Sequence, residues 1–181
     1  DWGAGVGWST VMQHPGRIVS WTALSIAHPA AFGAALQNDP DQQSKSSYFL
    51  LFQTPWLPET LFTFNSLSAL DMMYSTMSSE QIDEYHSVFA EPGALTGALN
   101  WYRAMTLGQD GSDDVSMKVS TPTLFIWGNH DEAVGRVAIE MQTEYITGPY
   151  SEIELDAGHW LLTDSPREVV ESVVRHLTTY K

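Results

Sequence analysis

Two kinds of hydrophobic pattern alternate at both ends of the chain. Short apolar runs bounded by turn residues are typical of parallel strands covered on both faces. Segments with apolar residues at helical spacing follow these runs. Strands that alternate with helices predict a mostly parallel sheet flanked by helices. The predicted strands are residues 17–26, 123–127 and 152–156, and the predicted helices are residues 6–14, 133–145 and 166–180. The inner face of the last helix is predicted to carry Val169, Val170, Val173, Val174 and Leu177.

The middle of the chain, residues 29–114, has a different composition. It is rich in Ser, Gln, Met and aromatic residues and has no strand pattern. Helical spacing and breaker residues predict four helices, and Ser78 with Gln81 is typical of a capped helix start. This part therefore reads as an all-α insertion. The four predicted helices are residues 46–53, 58–77, 78–89 and 94–105.

Composition narrows the classes of function. The chain has 181 residues, 43% of them hydrophobic, and a formal net charge of -14. Such a charge argues against nucleic acid or an anionic membrane surface as partner. The absence of Cys excludes disulfides, thiolate metal sites and a thiol nucleophile. No apolar run approaches the length of a membrane span, and we expect a cytoplasmic protein.

Three polar residues follow predicted turns or strand ends. Asp1 opens a Gly-rich stretch typical of a nucleophile on a tight strand-to-helix turn, where a Cβ at Gly3 or Gly5 is expected to collide with backbone. Asp131 and His159 each follow a predicted strand. Ligands of parallel sheets bind at the carboxyl ends of the strands, so the three should share one rim. Individually they also fit a flexible terminus, a turn or capping Asp and a hydrogen-bonded loop His.

The order nucleophile, acid, histidine suits a two-step hydrolysis. The Asp1 carboxylate attacks a saturated carbon and forms an alkyl ester, and His159 activates the water that hydrolyses this ester. Asp131 orients the imidazole and stabilises its protonated form. The backbone N–H of Trp2 is the predicted oxyanion-hole donor.

The motifs Asp-Trp-Gly-Ala-Gly, Trp-Gly-x-x-Asp and Ala-Gly-His-Trp resemble the α/β-hydrolase subgroup that contains epoxide hydrolases and haloalkane dehalogenases. Residues 48–55 and 97–103 resemble the lid of soluble epoxide hydrolases. The resemblance implies that Tyr48 and Tyr102 hydrogen-bond the epoxide oxygen, and a phenol is a suitable proton donor to the alkoxide formed on ring opening. It also implies a cofactor-independent enzyme without a metal. The aromatic residues expected to line an apolar substrate pocket are Phe52, Trp56, Trp101 and Trp160.

The same resemblance implies a division of the chain. Residues 1–28 are expected to form the nucleophile elbow, a helix and a core strand, residues 29–114 the lid, and residues 115–181 the C-terminal part of the α/β core. The strands before the nucleophile and the second oxyanion donor lie in an N-terminal half of the fold. We expect that half to exist outside these 181 residues, either as the preceding part of the same polypeptide or as a separate chain formed by cleavage.

Three functions stay open at this point. The first is hydrolysis of a small apolar or aromatic epoxide to a vicinal diol. The second is haloalkane dehalogenation with the same Asp and His, in which Trp2 with Trp56 or Trp101 holds the halide. The third is a non-catalytic fragment that only completes the fold. The sequence also leaves open whether the protein is a homo-oligomer.

Overall fold

The structure is a computed structural model of the chain, and it describes residues 1–64, 66–74, 76–105 and 117–181. It divides into two compact units. The first, here called the sheet unit, consists of Asp1–Ser46 and Asp114–Lys181. The second, here called the helical unit, consists of Ser47–Asp113.

A three-stranded parallel sheet organises the sheet unit. Its strands are β1 (Trp21–Leu24), β2 (Thr123–Gly128) and β3 (Tyr150–Leu155), in the order β1-β2-β3. Trp21 pairs with Thr123, and Thr123 pairs with Tyr150. All three strands therefore end at the same edge, as the sequence predicts.

The central strand β2 is buried along its whole length because helices cover both of its faces. On one face, Phe125 and Trp127 join a core with residues of α1 (Trp2–Gln13), α2 (Pro29–Asn38) and α8 (Arg136–Gln142). On the other face, Leu124 and Ile126 pack against α9 (Leu161–Asp164) and α10 (Pro166–Thr179). This layered arrangement confirms the predicted α/β class.

The helices of the sheet unit differ in detail from the prediction. The first begins at Trp2 rather than at residue 6, Pro15–Arg17 forms a 3₁₀ turn, and β1 covers only Trp21–Leu24 of the strand predicted at residues 17–26. Residues 29–46 contain α2 and α3 (Pro40–Lys45), and they group with the sheet unit rather than with the helical insertion. The reason is packing, since α2 lies against α8.

Helix α10 presents fewer residues to the core than expected. Val169 is buried and Val173 packs against the same core. Val170, Val174 and Leu177 are 55%, 53% and 52% exposed among the described residues, so their predicted inner-face position is wrong there. Only one side of the helix meets the sheet.

The helical unit contains four α-helices and a 3₁₀ segment within its described residues. A capping box between Ser78 and Gln81 starts α6, as predicted. The long helix predicted over residues 58–77 is interrupted, because Ser66 and Leu67 adopt positive φ angles of 55° and 67°. The elements are α4 (Tyr48–Gln53), α5 (Leu57–Thr63), the 3₁₀ segment Ser68–Tyr74, α6 (Ser79–Phe89) and α7 (Ala94–Ala104). The polar composition of residues 108–114 predicts a turn after the last of these helices, and that stretch lies outside the described residues.

Candidate active site

A buried acid–histidine pair lies at the carboxyl edge of the sheet. Asp131 follows β2 and His159 follows β3, and Asp131 Oδ2 lies 2.9 Å from His159 Nδ1. The Asp131 side chain is 1% exposed and the His159 side chain 13% exposed. A buried carboxylate on one ring nitrogen fixes the orientation of the imidazole and stabilises its protonated form. The other ring nitrogen, Nε2, is then the one suited to activating water.

The second carboxylate oxygen of Asp131 is held by its own loop. Oδ1 accepts hydrogen bonds from the backbone N–H groups of Ala133 at 2.7 Å and Val134 at 2.9 Å. These two bonds provide hydrogen-bond partners for the Asp131 carboxylate, which belongs to a residue that is only 3% exposed. The geometry therefore presents one oxygen to the loop and the other to His159.

The loop that carries His159 is fixed from two sides. Ser25 Oγ donates to the His159 backbone oxygen at 2.8 Å, and Gly158 N donates to Asp164 Oδ2 at 2.9 Å. Ser25 is 2% exposed and has a positive φ of 62° directly after β1, which is uncommon for a non-glycine residue. Sequence reasoning missed Ser25, since nothing in the local pattern marks it. The Trp160 ring lies edge-on to the His159 ring, with centroids 5.2 Å apart.

Asp1 caps the start of α1. Its Oδ1 accepts a hydrogen bond from Trp2 N at 2.8 Å, so the carboxylate lies at the positive end of the helix. Asp1 is exposed among the described residues.

In α1, the glycine that is closely packed is Gly7 rather than Gly3 or Gly5. Among the described residues, nothing lies within 4 Å of a Cβ built on Gly3 or Gly5, so the collision predicted there is wrong for this part of the chain. A Cβ on Gly7 would instead lie 1.9 Å from the Trp21 ring. The close packing needed here is that of α1 on β1.

Tyr48 and Tyr102 come together in the helical unit. Their rings meet edge to face with centroids 5.9 Å apart. Phe52 packs against both rings, at 5.1 Å from Tyr48 and 4.9 Å from Tyr102, and is 5% exposed. Such edge-to-face packing is favourable and fixes ring orientation. Phe52 therefore lies in the aromatic cluster that holds the two tyrosines.

An ion pair ties the segments that carry the tyrosines. Arg103 donates from Nη1 and Nη2 to the two carboxylate oxygens of Glu59, both at 2.8 Å, and from Nη2 to the Thr54 backbone oxygen at 3.1 Å. Gln53 Nε2 donates to the Tyr102 backbone oxygen at 3.2 Å. A bidentate pair of this kind is the strong form of the interaction. It links α7 to α5 and to the end of α4.

The two remaining predicted pocket residues are largely exposed. Trp101 is 50% exposed and Trp56 is 81% exposed. Trp56 lines a groove of about 440 Å³ in the helical unit, and neither Tyr48 nor Tyr102 is among its lining residues. The groove is lined by Pro55, Trp56, Glu59, Thr60, Thr96 and Arg103.

Other titratable groups have local partners. His28 is fully buried, stacks on Tyr145 at 4.9 Å between centroids, and accepts a hydrogen bond from Ala30 N at Nδ1. Burial lowers the pKa of His28 to about 4. His130 pairs with Asp156 at 2.9 Å on the surface. Within the described ranges, no three His, Asp or Glu side chains gather as a metal site.

None of the helices within the described residues combines the length and the apolar character needed to cross a membrane.

Two curated proteins illustrate what the chain is similar to. No protein-family model matches the chain. Epoxide hydrolase 4 of Homo sapiens is 28% identical over 186 residues, which cover 96% of the chain and 50% of the human protein. The AB hydrolase superfamily protein YfhM of Bacillus subtilis is 28% identical over 98% of the chain and 63% of that protein. The chain thus spans about half to two thirds of the length of these curated relatives.

A solved structure shows the same fold. An epoxide hydrolase from Bacillus megaterium, crystallised in complex with an inhibitor, superposes with a TM-score of 0.86, over 98% of this chain and 67% of that one, at 22% identity. The parallel sheet and the helices that flank it therefore follow an architecture already known from a solved structure. The chain therefore has the α/β-hydrolase fold, and its homologues include proteins named epoxide hydrolase and AB hydrolase superfamily protein.

Proposed function

We propose that the protein is an epoxide hydrolase that works through an alkyl ester on Asp1. The observation that carries the proposal is the buried hydrogen bond of 2.9 Å between Asp131 and His159 at the carboxyl edge of the sheet. This pair is the base that the second step of such a mechanism needs. Homology to proteins named epoxide hydrolase supports the choice of substrate class.

In the first step, a carboxylate oxygen of Asp1 attacks an epoxide carbon. The carbon–oxygen bond of the ring breaks, and the released alkoxide takes a proton. The position of Asp1 at the start of α1, with Trp2 N–H on Oδ1, favours the ionised carboxylate. The same N–H suits the negative charge that develops on this oxygen when water later attacks the ester.

The phenols of Tyr48 and Tyr102 are the proposed donors to the epoxide oxygen. Their packing within one aromatic cluster supports a shared role, because the ring contacts fix both phenols on neighbouring helices. We further propose that the helical unit is the lid of the enzyme. Phe52, Trp101 and Trp160 remain proposed contacts for an apolar or aromatic substrate, whereas Trp56 serves the separate groove.

In the second step, His159 removes a proton from water, and the hydroxide attacks the carbonyl carbon of the Asp1 ester. The hydroxyl proton of the tetrahedral intermediate passes to the departing diol oxygen, Asp1 is regenerated as a carboxylate, and the imidazole proton passes through solvent to the phenolate left by the first step. Asp131 stabilises the protonated imidazole during this step. No cofactor takes part in the proposed cycle.

We also propose that residues outside this chain complete the sheet and supply the second oxyanion donor. Among the described residues, β1 is an edge strand: it pairs with β2 on one side and with no strand on the other. The relatives are longer than the matched region, which supports a further part of the fold. It is either in the same polypeptide or in a separate chain.

The experiment uses the natural protein with His159→Gln and styrene oxide. We expect the variant to accumulate an adduct of the epoxide's mass, and peptide mapping to locate it on Asp1, because alkylation proceeds while hydrolysis stops. His130→Gln is the matched control, since His130 is an exposed histidine that pairs with Asp156. It should turn over styrene oxide like the unmodified protein.

Two results would overturn the proposal. One is a folded His159→Gln protein without an adduct, together with an inactive unmodified protein. The other is release of halide from a bromoalkane without any turnover of styrene oxide, which would assign the same residues to dehalogenation.

A further inference from the structure

We propose that Gln42 and Lys45, on helix α3, are positioning residues that set the orientation of Asp131 toward His159. This inference concerns the ester hydrolysis step and depends on the proposed function. It assigns to α3 a part in the chemistry, although neither residue belongs to the acid–histidine pair.

Gln42 is the central contact between α3 and the loop 131–135. Its side chain is completely buried. Nε2 donates to the Ala133 backbone oxygen at 2.9 Å, and Oε1 accepts from Gly135 N at 2.8 Å. Nε2 also donates to Ser46 Oγ at 2.9 Å, so both amide hydrogens and the amide oxygen of Gln42 are engaged by the loop or by the end of α3.

Lys45, one helical turn beyond Gln42, holds the beginning of the same loop. Its Nζ donates to the backbone oxygen of Asp131 at 2.6 Å. The two side chains therefore contact the backbone at residues 131, 133 and 135. These contacts alternate along the loop, which leaves little freedom for rotation of the segment between them.

The loop transmits this restraint to the carboxylate. Ala133 makes contacts in both directions. Its backbone oxygen accepts a hydrogen bond from Gln42 Nε2, and its backbone N–H donates to Asp131 Oδ1 at 2.7 Å. A shift of the loop backbone therefore rotates the carboxylate, and Oδ2 then leaves the line to His159 Nδ1. Displacement of a catalytic group by 1 Å lowers a rate by about 100-fold.

The start of α3 is built to lie close to the loop. Asp39 caps the helix by accepting from Asp41 N at 3.3 Å and Gln42 N at 3.2 Å. A Cβ on Gly135 would lie 2.9 Å from Asp41 Oδ2 and 3.5 Å from Gln42 Oε1. The small residue at position 135 thus leaves room for the Asp41 carboxylate at the start of α3.

The expected kinetic signature separates positioning from general stability. Alkylation of Asp1 does not use His159 as base, whereas hydrolysis of the ester does. Loss of the restraint should therefore slow hydrolysis, lower kcat and KM together, and leave kcat/KM unchanged. Partial unfolding would instead lower kcat and kcat/KM by the same factor at an unchanged KM.

The test measures alkylation of Asp1 and hydrolysis of the ester separately. The natural protein and its variants are mixed with styrene oxide, quenched at short times and analysed by intact mass. Gln42→Met keeps the length of the side chain and removes its hydrogen bonds, and Lys45→Met removes the donor to Asp131. We expect the hydrolysis rate constant to fall about 10- to 100-fold in each, with unchanged alkylation. Lys45→Arg keeps a charged donor and should recover most of the rate.

Gln43→Met is the matched control on the same helix. Gln43 is exposed and its Nε2 donates to the Gln37 backbone oxygen at 3.1 Å, away from the loop. It should behave as the unmodified protein does. Lys45 is only partly buried, so Lys45→Met decides the question if Gln42→Met does not fold.

The outcomes distinguish the inference from the proposed function. If the unmodified protein forms an ester on Asp1 but the Lys45→Met variant hydrolyses it normally, or loses both steps equally, the positioning role is overturned alone. If the unmodified protein forms no ester, the proposed function fails and the positioning role fails with it. Selective accumulation of ester in Lys45→Met, reversed in Lys45→Arg, supports both.

Discussion

Gly128→Ala should separate Asp131 from His159 without changing either residue. Gly128 ends β2, and its Cα faces the turn that precedes His159. A Cβ there would lie 2.2 Å from the Ala157 oxygen and 2.4 Å from the Gly158 oxygen. Ordinary contacts begin at 3.4 Å, so the two backbone segments must part by about 1.2 Å. The neighbours are backbone atoms, which cannot rotate away as a flexible side chain can.

Such a displacement affects stability and rate. The inserted methyl group meets the Ala157 oxygen, which accepts from His130 N at 3.0 Å, and Gly128 itself accepts from Asp131 N at 3.1 Å, so the displacement reaches the segments that carry Asp131 and His159. Overpacking of this kind costs about 1–3 kcal/mol of the free energy of unfolding. A movement of about 1 Å at the acid–histidine pair should lower the hydrolysis rate constant by about 100-fold.

The assay combines thermal unfolding with single-turnover mass measurement on styrene oxide. Gly33→Ala, in the interior of α2, is the control, because nothing among the described residues lies within 4 Å of its Cβ position. Alanine favours a helix interior over glycine by about 1 kcal/mol, so this variant should be at least as stable as the unmodified protein. A Gly128→Ala protein of reduced stability but normal ester hydrolysis would refute the link between this close approach and His159.

Two pH-dependent predictions follow from buried or paired groups. Hydrogen bonds from Arg103 hold the pKa of Glu59 below its ordinary 4.5, so this pair stabilises the fold above that pH and the contribution is lost as the pH falls through the lowered pKa. Melting temperatures measured from pH 7 to pH 3 should therefore fall less steeply in Glu59→Gln, and equal slopes would contradict the pairing. Burial lowers the pKa of His28 from 6.5 to about 4, so the unfolded chain takes up a proton first and stability falls by about 3 kcal/mol between those pH values. His28→Asn keeps an acceptor for Ala30 N but has no proton to gain, and denaturant titrations at pH 7 and pH 4 should show that this part of the pH dependence has disappeared.

The strands and the acid–histidine pair were accessible from sequence because each depends on short-range chemistry. An apolar run such as residues 123–127 can be buried on both faces only as a central strand or a buried helix, and its flanking turns favour the strand. Polar residues directly after two such runs must then meet at one edge of a parallel sheet. This reasoning placed Asp131 and His159 together, and the hydrogen bond of 2.9 Å confirms their proximity.

The features missed by sequence reasoning depend on long-range contacts. Gln42 lies in a polar helix of six residues, and only its contact with a loop some 90 residues later makes it buried. Ser25 adopts a strained φ so that its hydroxyl reaches His159. The helix predicted over residues 58–77 has suitable spacing, but the positive φ angles at Ser66 and Leu67 interrupt it. Local sequence propensity does not predict constraints that come from contacts between distant parts of the chain.

The pairing of β1 with β2 has a consequence for how readily this fold accepts insertions. Trp21 and Thr123 are partners although about 100 residues separate them along the chain, and most of that interval is the helical unit. The entropy of closing a loop grows only with the logarithm of its length, so doubling or halving the interval changes the closure free energy by about 0.6 kcal/mol. Segments of the helical unit can therefore be lengthened, trimmed or exchanged with little cost in closure entropy to the sheet. The helical unit can therefore vary while Asp131 and His159 stay on a constant framework.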